Sequence, residues 1–267
     1  MGQAKEPRRL ISRRDTLGLI GAAGLAAIVG CGDDDEPGSG GATNTATEAP
    51  PRSATATAAA ATGTATAAPV SCVITPEETE GPYFVDERLN RSDITSDPTD
   101  GSIKEGVPLR LSLIVSDVNG ATCTPLTGAV VDMWHCDALG VYSDVSGGGG
   151  QAGTTGRKFL RGYQVTDENG QVEFQTIYPG WYSGRTIHIH FKVRTDPDSA
   201  TGFEFTSQLF FDEAITDAVV AQEPYNTKGS PDTTNAADNI FDSDLLVPLT
   251  VEGDGYAGAF HVGVNMA

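Results

Sequence analysis

Between residues 109 and 264 the chain runs as a succession of short β-rich segments with turn residues between them. This rhythm restricts the fold more than any other feature. "LRLSLIV" (109–115) alternates apolar and polar residues, as a strand with one buried face does. Asp117 to Gly120 then reads as a turn. "GAVVDMWH" (128–135) and "FLRGYQVT" (159–166) follow, and "DENG" (167–170) turns the chain into "VEFQTI" (172–177). "HIHFKV" (188–193), "FEFTSQLFF" (203–211), "LLVPLTV" (245–251) and "AGAFHVGV" (257–264) bring the total to about eight strands. Only "DEAITDAVVAQ" (212–222) has helical character, and it is short. Closely spaced strands with turn chemistry between them predict an all-β fold, a β-sandwich with one short helix.

The first seventy residues have a different composition. "RRLISRRDTLGLIGAAGLAAIVGC" joins a basic start to a short apolar run, Leu17 to Val29, and ends at Cys31. That run is too short for an ordinary membrane-spanning helix and fits an export signal over residues 1–30. Arg13 and Arg14 with Leu17 resemble a twin-arginine signal, and "IVGC" resembles a lipobox that would place a lipid on Cys31. The competing reading is an uncleaved N-terminal anchor. Both put the domain outside the cytoplasmic membrane, lipid-anchored to its outer face or to the cell surface in the first case. Residues 31–69 are Ala, Thr, Gly, Ser and Pro with almost no large apolar side chain, so they cannot offset their ordering entropy by burial. They read as a flexible tether, which leaves 70–267 as one domain.

The formal net charge is −19. Residues 1–30 carry five basic and two acidic residues, so without them the net charge is about −22. Such a surface repels nucleic acid and anionic membrane, and no nucleic-acid partner is expected. Beyond Cys31 the cysteines are Cys72, Cys123 and Cys136. An oxidising compartment favours one disulfide and one thiol left over. Cys72 with Cys136 is the preferred pair, because Cys123 and Cys136 stand at opposite ends of one strand region.

Two of the chain's four histidines occur in "HIHF". In a strand, residues i and i+2 share a face, so His188 and His190 project together while Ile187, Ile189 and Phe191 project the other way. Two imidazoles so placed can grip a transition metal; the plainer reading is a solvent-facing pair on an amphipathic strand. Zinc would ask for a third His, Cys or carboxylate. Tyr178 and Tyr182 flank a Pro-Gly turn just upstream, and Tyr142 lies in a glycine-containing loop. A phenolate is a hard anionic donor that suits Fe(III), although tyrosine near strands is more often packing.

Four ordered motifs carry a resemblance. "WHCDALGVYS", "FLRGYQVTDENGQVEFQTIYPGWYSGRTIHIHFKV" and "TSQLFF" occur in the order and spacing of the intradiol ring-cleavage dioxygenases, the family of catechol 1,2-dioxygenases and protocatechuate 3,4-dioxygenases, and "TEGPYF" (79–84) is similar to its leading segment. The resemblance covers about Cys72 to Phe211. It implies an immunoglobulin-like or prealbumin-like sandwich holding one Fe(III) per domain on Tyr142, Tyr182, His188 and His190. It further implies Arg185 beside the substrate as a catalytic group, with Tyr182 the phenolate displaced by substrate. Gln208 would line the ring pocket, and Thr79, Pro82 and Tyr83 would close over it. The implied reaction takes a catechol and O2 and cleaves between the two hydroxylated carbons to a muconate-type product.

Two departures stand out. No helical region precedes Cys72, unlike the catechol 1,2-dioxygenases, and only five residues separate Tyr182 from His188. The short connection is expected to open the pocket on that side, favouring bulkier catechols. Two other readings compete: a non-enzymatic envelope binding module with a degenerate metal site, and a Zn or Cu protein on the same scaffold. His135 and Tyr163 read as packing residues, His261 as exposed, and "SGGGGQAGTTG" (146–156) as a pocket rim or an ordinary loop.

Overall fold

A computed structural model describes residues 72–147, 151, 153–199 and 201–266. The proposed signal, Cys31 and the tether lie outside the described residues. Among the described residues nine strands form two sheets, so the β-sandwich follows the sequence pattern. In the first sheet, β1 (Pro108–Asn119) is central. Parallel β9 (Gly255–Val264) covers one edge of it, while β5 (Gln171–Ile177) and β2 (Thr122–Pro125) share the other. Strand β8 (Leu249–Glu252) pairs with β9 at the sheet's margin. The second sheet has the order β4 (Arg161–Val165), β3 (Val130–Trp134), β6 (His188–Arg194) and β7 (Glu204–Phe210), all antiparallel.

The core follows from the alternation. Leu109, Leu111, Leu113 and Val115 of β1 face Val131 and Met133 of β3 and Ile189, Phe191 and Val193 of β6 in one buried cluster. Each such side chain contributes about 1.5–3 kcal/mol on burial. The helix α1 (Glu213–Val220) is capped by Asp212, whose carboxylate accepts from the Ala214 amide.

Three local expectations change. Strand β1 runs on to Asn119, through the expected turn, because β2 and β9 pair with its far half. Strand β2 is too short and polar to show as a strand in sequence. In "LLVPLTV", Leu245 ends a 3-10 turn and the strand begins only at Leu249. Pro248 has no N–H to give to a ladder.

The disulfide is also different. Cys72 pairs with Cys123, not with Cys136, and their Cα atoms are 5.4 Å apart. Cys123 lies in β2 at the margin of the first sheet, where the segment carrying Cys72 enters beside β9 through the Thr75 amide and Gly263 carbonyl. Cys136 is a buried thiol just past β3, donating to the Gly180 carbonyl. The two expected ends of one strand region are in different sheets.

A strap formed by residues 72–107 crosses the sandwich. It is tied to β9 at Thr75, to β7 by the Glu78 amide on the Thr206 carbonyl, to β4 at Arg91 and to β5 at Ile94. Lys192 with Glu80, Arg194 with Asp86 and Lys158 with Glu87 pin it further. The strap covers the outer face of β6, so all seven residues of that strand are buried.

Candidate metal centre

Register brings the first donors together. His190 stands directly opposite Trp134 on β3 and Gln208 on β7, and His188 opposite Phe210. Directly paired residues share a face, so Trp134, His190 and Gln208 form one row beneath the strap. The Trp134 and His190 rings stack at 5.0 Å and 7°.

The tyrosines arrive on two loops whose backbones touch. After β3, Asp137 folds the chain back: its Oδ1 accepts from the Leu139 and Val141 amides, and its main chain pairs with Val141. Tyr142 follows immediately and is fully buried. After β5, the Gly180 amide donates to the Asp137 carbonyl. A Cβ on Gly180 would lie 2.3 Å from the Ala138 carbonyl oxygen, and one on Gly140 would lie 2.0 Å from that of Trp181. Only glycine permits this approach. Each glycine stands two residues before one of the tyrosines, Tyr142 or Tyr182, which gives the "GxYS" and "PGxY" patterns their physical meaning.

The donors converge. Tyr182 Oη is 3.1 Å from His188 Nε2, which is 3.1 Å from His190 Nε2. The Tyr142 and Tyr182 rings are 5.7 Å apart, edge to face, and Tyr142 and His190 6.4 Å. His188 Nδ1 donates to the Thr186 carbonyl at 2.6 Å, so its Nε2 carries the lone pair. Among the described residues, Tyr142 Oη, His190 Nδ1 and Trp134 Nε1 are buried without a hydrogen-bond partner of normal geometry. Imidazole nitrogens facing each other at 3.1 Å beside such a phenol suit a shared cation. Donors at right angles around one ion, each about 2.1 Å from it, are separated by about 3 Å. The residues present therefore fit a metal ion held by two imidazoles and two phenol oxygens. The described residues contain no cluster of three or more His, Cys, Asp or Glu that could hold one instead.

Burial sets the protonation. It lowers the His188 pKa to about 3 and that of His190 well below the ordinary value, so both rings are neutral. It raises both phenols, and the nearness of Tyr182 raises Tyr142 further. Without a cation both stay protonated; a multivalent ion reverses that preference.

The remaining expected residues gather around this set. Arg185 donates from Nη2 to Gln208 Oε1 at 2.6 Å, and Gln208 Nε2 donates to the Thr79 carbonyl at 2.9 Å. Tyr83 stacks on Tyr142 at 4.4 Å and meets Tyr182 edge-on at 6.1 Å. Pro82 and Tyr83 line a cavity of about 340 Å³ with Val85, Val145 and Gln151. Tyr178 points elsewhere, its hydroxyl 2.7 Å from that of Thr216 on α1. His135 is buried between the Cys136 carbonyl and the Thr176 hydroxyl, and His261 is exposed. On the side of the short connection, residues 228–238 overlie the chain: Trp181 Nε1 donates to the Gly229 carbonyl and the Gly184 amide to Asp232.

Three contributors escaped the sequence reading. Gln151, from the glycine-rich loop, accepts from the Tyr142 amide and donates to the Gly140 carbonyl, clamping the tyrosine loop. Arg161, 2% exposed, donates from Nε to Ser143 Oγ and from Nη2 to the Ser143 carbonyl, next to Tyr142. Asp238 accepts from Arg185 Nε at 2.8 Å. The "RG" following Phe159-Leu160 could have drawn attention to Arg161; nothing local distinguishes the other two.

The fold and site define an all-β protein with a mixed tyrosine–histidine donor set. The family model described as Dioxygenase matches residues 79–238, more than half of the chain. An intradiol ring-cleavage dioxygenase from Tetranychus urticae is 33% identical with a TM-score of 0.63, covering 73% of this chain and 95% of that one. The dioxygenase domain of a dioxygenase–carbohydrate-binding fusion from Streptomyces sp. SirexAA-E is 32% identical with a TM-score of 0.52, covering 73% and 100%. Catechol 1,2-dioxygenase of Acinetobacter baylyi is 28% identical, covering 64% of this chain and 62% of the relative. The chain spans roughly half the length of the curated relatives it matches. It belongs to the intradiol ring-cleavage dioxygenase family.

Proposed function

We propose that this protein is a non-haem Fe(III) dioxygenase that inserts O2 between the two hydroxylated carbons of a catechol, giving a muconate-type diacid. The observation that carries the reading is the convergence of Tyr142, Tyr182, His188 and His190 from separate segments into one buried set. One iron per domain, bound there, would withdraw electron density from a chelated catecholate and make it reactive toward O2. Tyr182 is the less buried of the two phenols, and as the phenolate that a bound ferric ion would favour, its Oη would take a proton from an incoming catechol hydroxyl. Arg185 supplies a permanent positive charge for the negative charge that develops on the ring. Gln208 orients Arg185 without adding charge. Thr79, Pro82 and Tyr83, on the strap, exclude water from the donor set.

Metal analysis and product analysis under labelled O2 test this. The expected result is about one iron per chain, a visible phenolate-to-iron absorption that bleaches in Tyr142→Phe, and a cis,cis-muconate carrying both labelled atoms. Zinc in the site, a colourless protein after iron loading, or a yellow semialdehyde product would refute it.

We further propose that the chain is exported through its twin-arginine signal and anchored by lipid on Cys31. The Cys72–Cys123 disulfide favours an oxidising compartment, consistent with that location. Cys31→Ser should abolish palmitate incorporation; unchanged labelling would remove the anchor.

A further inference from the structure

Arg185 reaches the site with its guanidinium held at two points. One is Gln208, on the row of His190. The other is a carboxylate that lies 53 residues downstream, beyond the last segment on which the sequence resemblance rests. Asp238 follows a 3-10 turn, Asn235–Ala237, and its side chain is 2% exposed. The chain two residues downstream sets its orientation, because Oδ1 accepts from the Ile240 amide at 2.9 Å. The other oxygen, Oδ2, accepts from Arg185 Nε at 2.8 Å and also from the Thr186 amide at 2.9 Å. The Thr186 carbonyl in turn receives His188 Nδ1. Thr186 Oγ1 and Asn235 Oδ1 are 2.6 Å apart, and Asn235 Nδ2 donates to the Phe211 carbonyl, so the loop is tied on both sides. Burial alone would raise the Asp238 pKa; the amide of Ile240, Arg185 and the Thr186 amide outweigh it and keep the carboxylate below its usual range.

We propose that Asp238 is a positioning residue of this site, one carboxylate oxygen bracing the guanidinium of Arg185 and, through Thr186, the imidazole of His188. The proposal rests on the reading of Arg185 given above. A long arginine side chain samples many rotamers, and its field stabilises a developing charge only when it is already aimed. Gln208 alone fixes one end and leaves rotation about it. Asp238 removes that rotation, and the same oxygen sets the backbone from which the histidine is oriented. The carboxylate also offsets part of the guanidinium's charge, which by itself would slow the reaction. In this proposal orientation outweighs that loss of field.

The test is a double-mutant cycle on the iron-loaded full chain with catechol. Asp238→Asn, which is isosteric, is expected to lower kcat about tenfold while KM and iron content change less than about twofold. In an Arg185→Ala background the same change is expected to alter kcat by less than about twofold, because the group it aims is gone. In the metal-free 15N-labelled protein, the Arg185 Nε–H resonance of wild type should shift or vanish in Asp238→Asn, and the His188 Nδ1–H resonance should broaden. Unchanged or increased kcat in Asp238→Asn would overturn the brace, as would an equal loss in both backgrounds or a loss of iron that parallels the loss of activity. If Arg185→Ala itself keeps wild-type turnover, the reading of Arg185 fails; the brace is then decided by the two resonances, and unperturbed signals refute it. Should Asp238→Asn fold poorly, Asp238→Glu keeps the charge on a longer arm and is expected to show the same kcat loss at unchanged iron content.

Discussion

Breaking the Cys72–Cys123 bridge is expected to separate stability from chemistry in this protein. The cross-link joins positions 51 apart in sequence, and the chain-entropy relation assigns a loop of that size about 4 kcal/mol at 25 °C. Little else holds the segment just beyond it, since Val73 and Ile74 are 59% and 51% exposed. The next fixed point is Thr75, whose amide donates to the Gly263 carbonyl and whose hydroxyl accepts from the Gly263 amide. The strap residues that touch the site begin only at Thr79, on Gln208, and Glu78 just before it has its own bond to β7. Losing the bridge should therefore destabilise the whole domain while leaving the donor set in place. For a domain of this size, 4 kcal/mol corresponds to a midpoint about 8–16 °C lower. The assay is differential scanning calorimetry of Cys123→Ser against wild type, with turnover measured at 25 °C, where kcat should stay within about twofold. Cys136 does not complicate the comparison, because burial pushes its thiol well above the usual range and keeps it unreactive. A midpoint shift below about 2 °C would show that other contacts already close this loop. Peptide mapping that recovers Cys72 joined to Cys136 would refute the pairing itself.

Arg185→Ala is expected to lower kcat by about a hundredfold or more while iron content and colour persist, since the guanidinium is not a metal donor; wild-type turnover would remove it from the mechanism. Gln151→Leu removes the two bonds that Gln151 makes to the Tyr142 loop and should weaken iron affinity about 10–100-fold in a chelator competition, with the fold intact. Unchanged affinity would make the clamp irrelevant to the metal. Burial lowers the His135 pKa to about 4, so as pH falls below about 6.5 the unfolded chain takes up the proton first. Stability then drops by up to about 1.4 kcal/mol per pH unit until about pH 4, and urea titrations of His135→Gln should show a slope shallower by that amount. An identical slope would mean that burial does not lower the His135 pKa and that it takes up its proton alike in the folded and unfolded chains.

The strands that matter were legible because their alternation has a direct physical cause. Leu109, Leu111, Leu113 and Val115 could only be one face of a strand, and Ile189 with Phe191 the apolar face of another. Strand β2 was not legible. Its four residues, Thr-Cys-Thr-Pro, gain their place from pairing with β1, and with it came the misassigned disulfide partner. The donor residues were legible for a different reason: motif order around Tyr142, Tyr182, His188 and His190 resembles a family. Their braces were invisible, because Gln151 and Asp238 act from loops whose local sequence carries no periodic signal.

By itself the sequence determined which side chains share a face of β6, since a period of two follows from the pleat alone. It also determined that glycine precedes each site tyrosine by two residues. Only the tertiary structure decided that the face carrying His188 and His190 is buried instead of wet. The strap lays Gly81 against it, close enough that a Cβ there would sit 3.4 Å from His190 Cε1. Only the tertiary structure, too, brought Asp238 to Arg185 and the two tyrosine loops into backbone contact. These are contacts between segments tens of residues apart, and their formation depends on which surfaces the sandwich leaves uncovered, a property of the packed sheets that no short window of sequence contains.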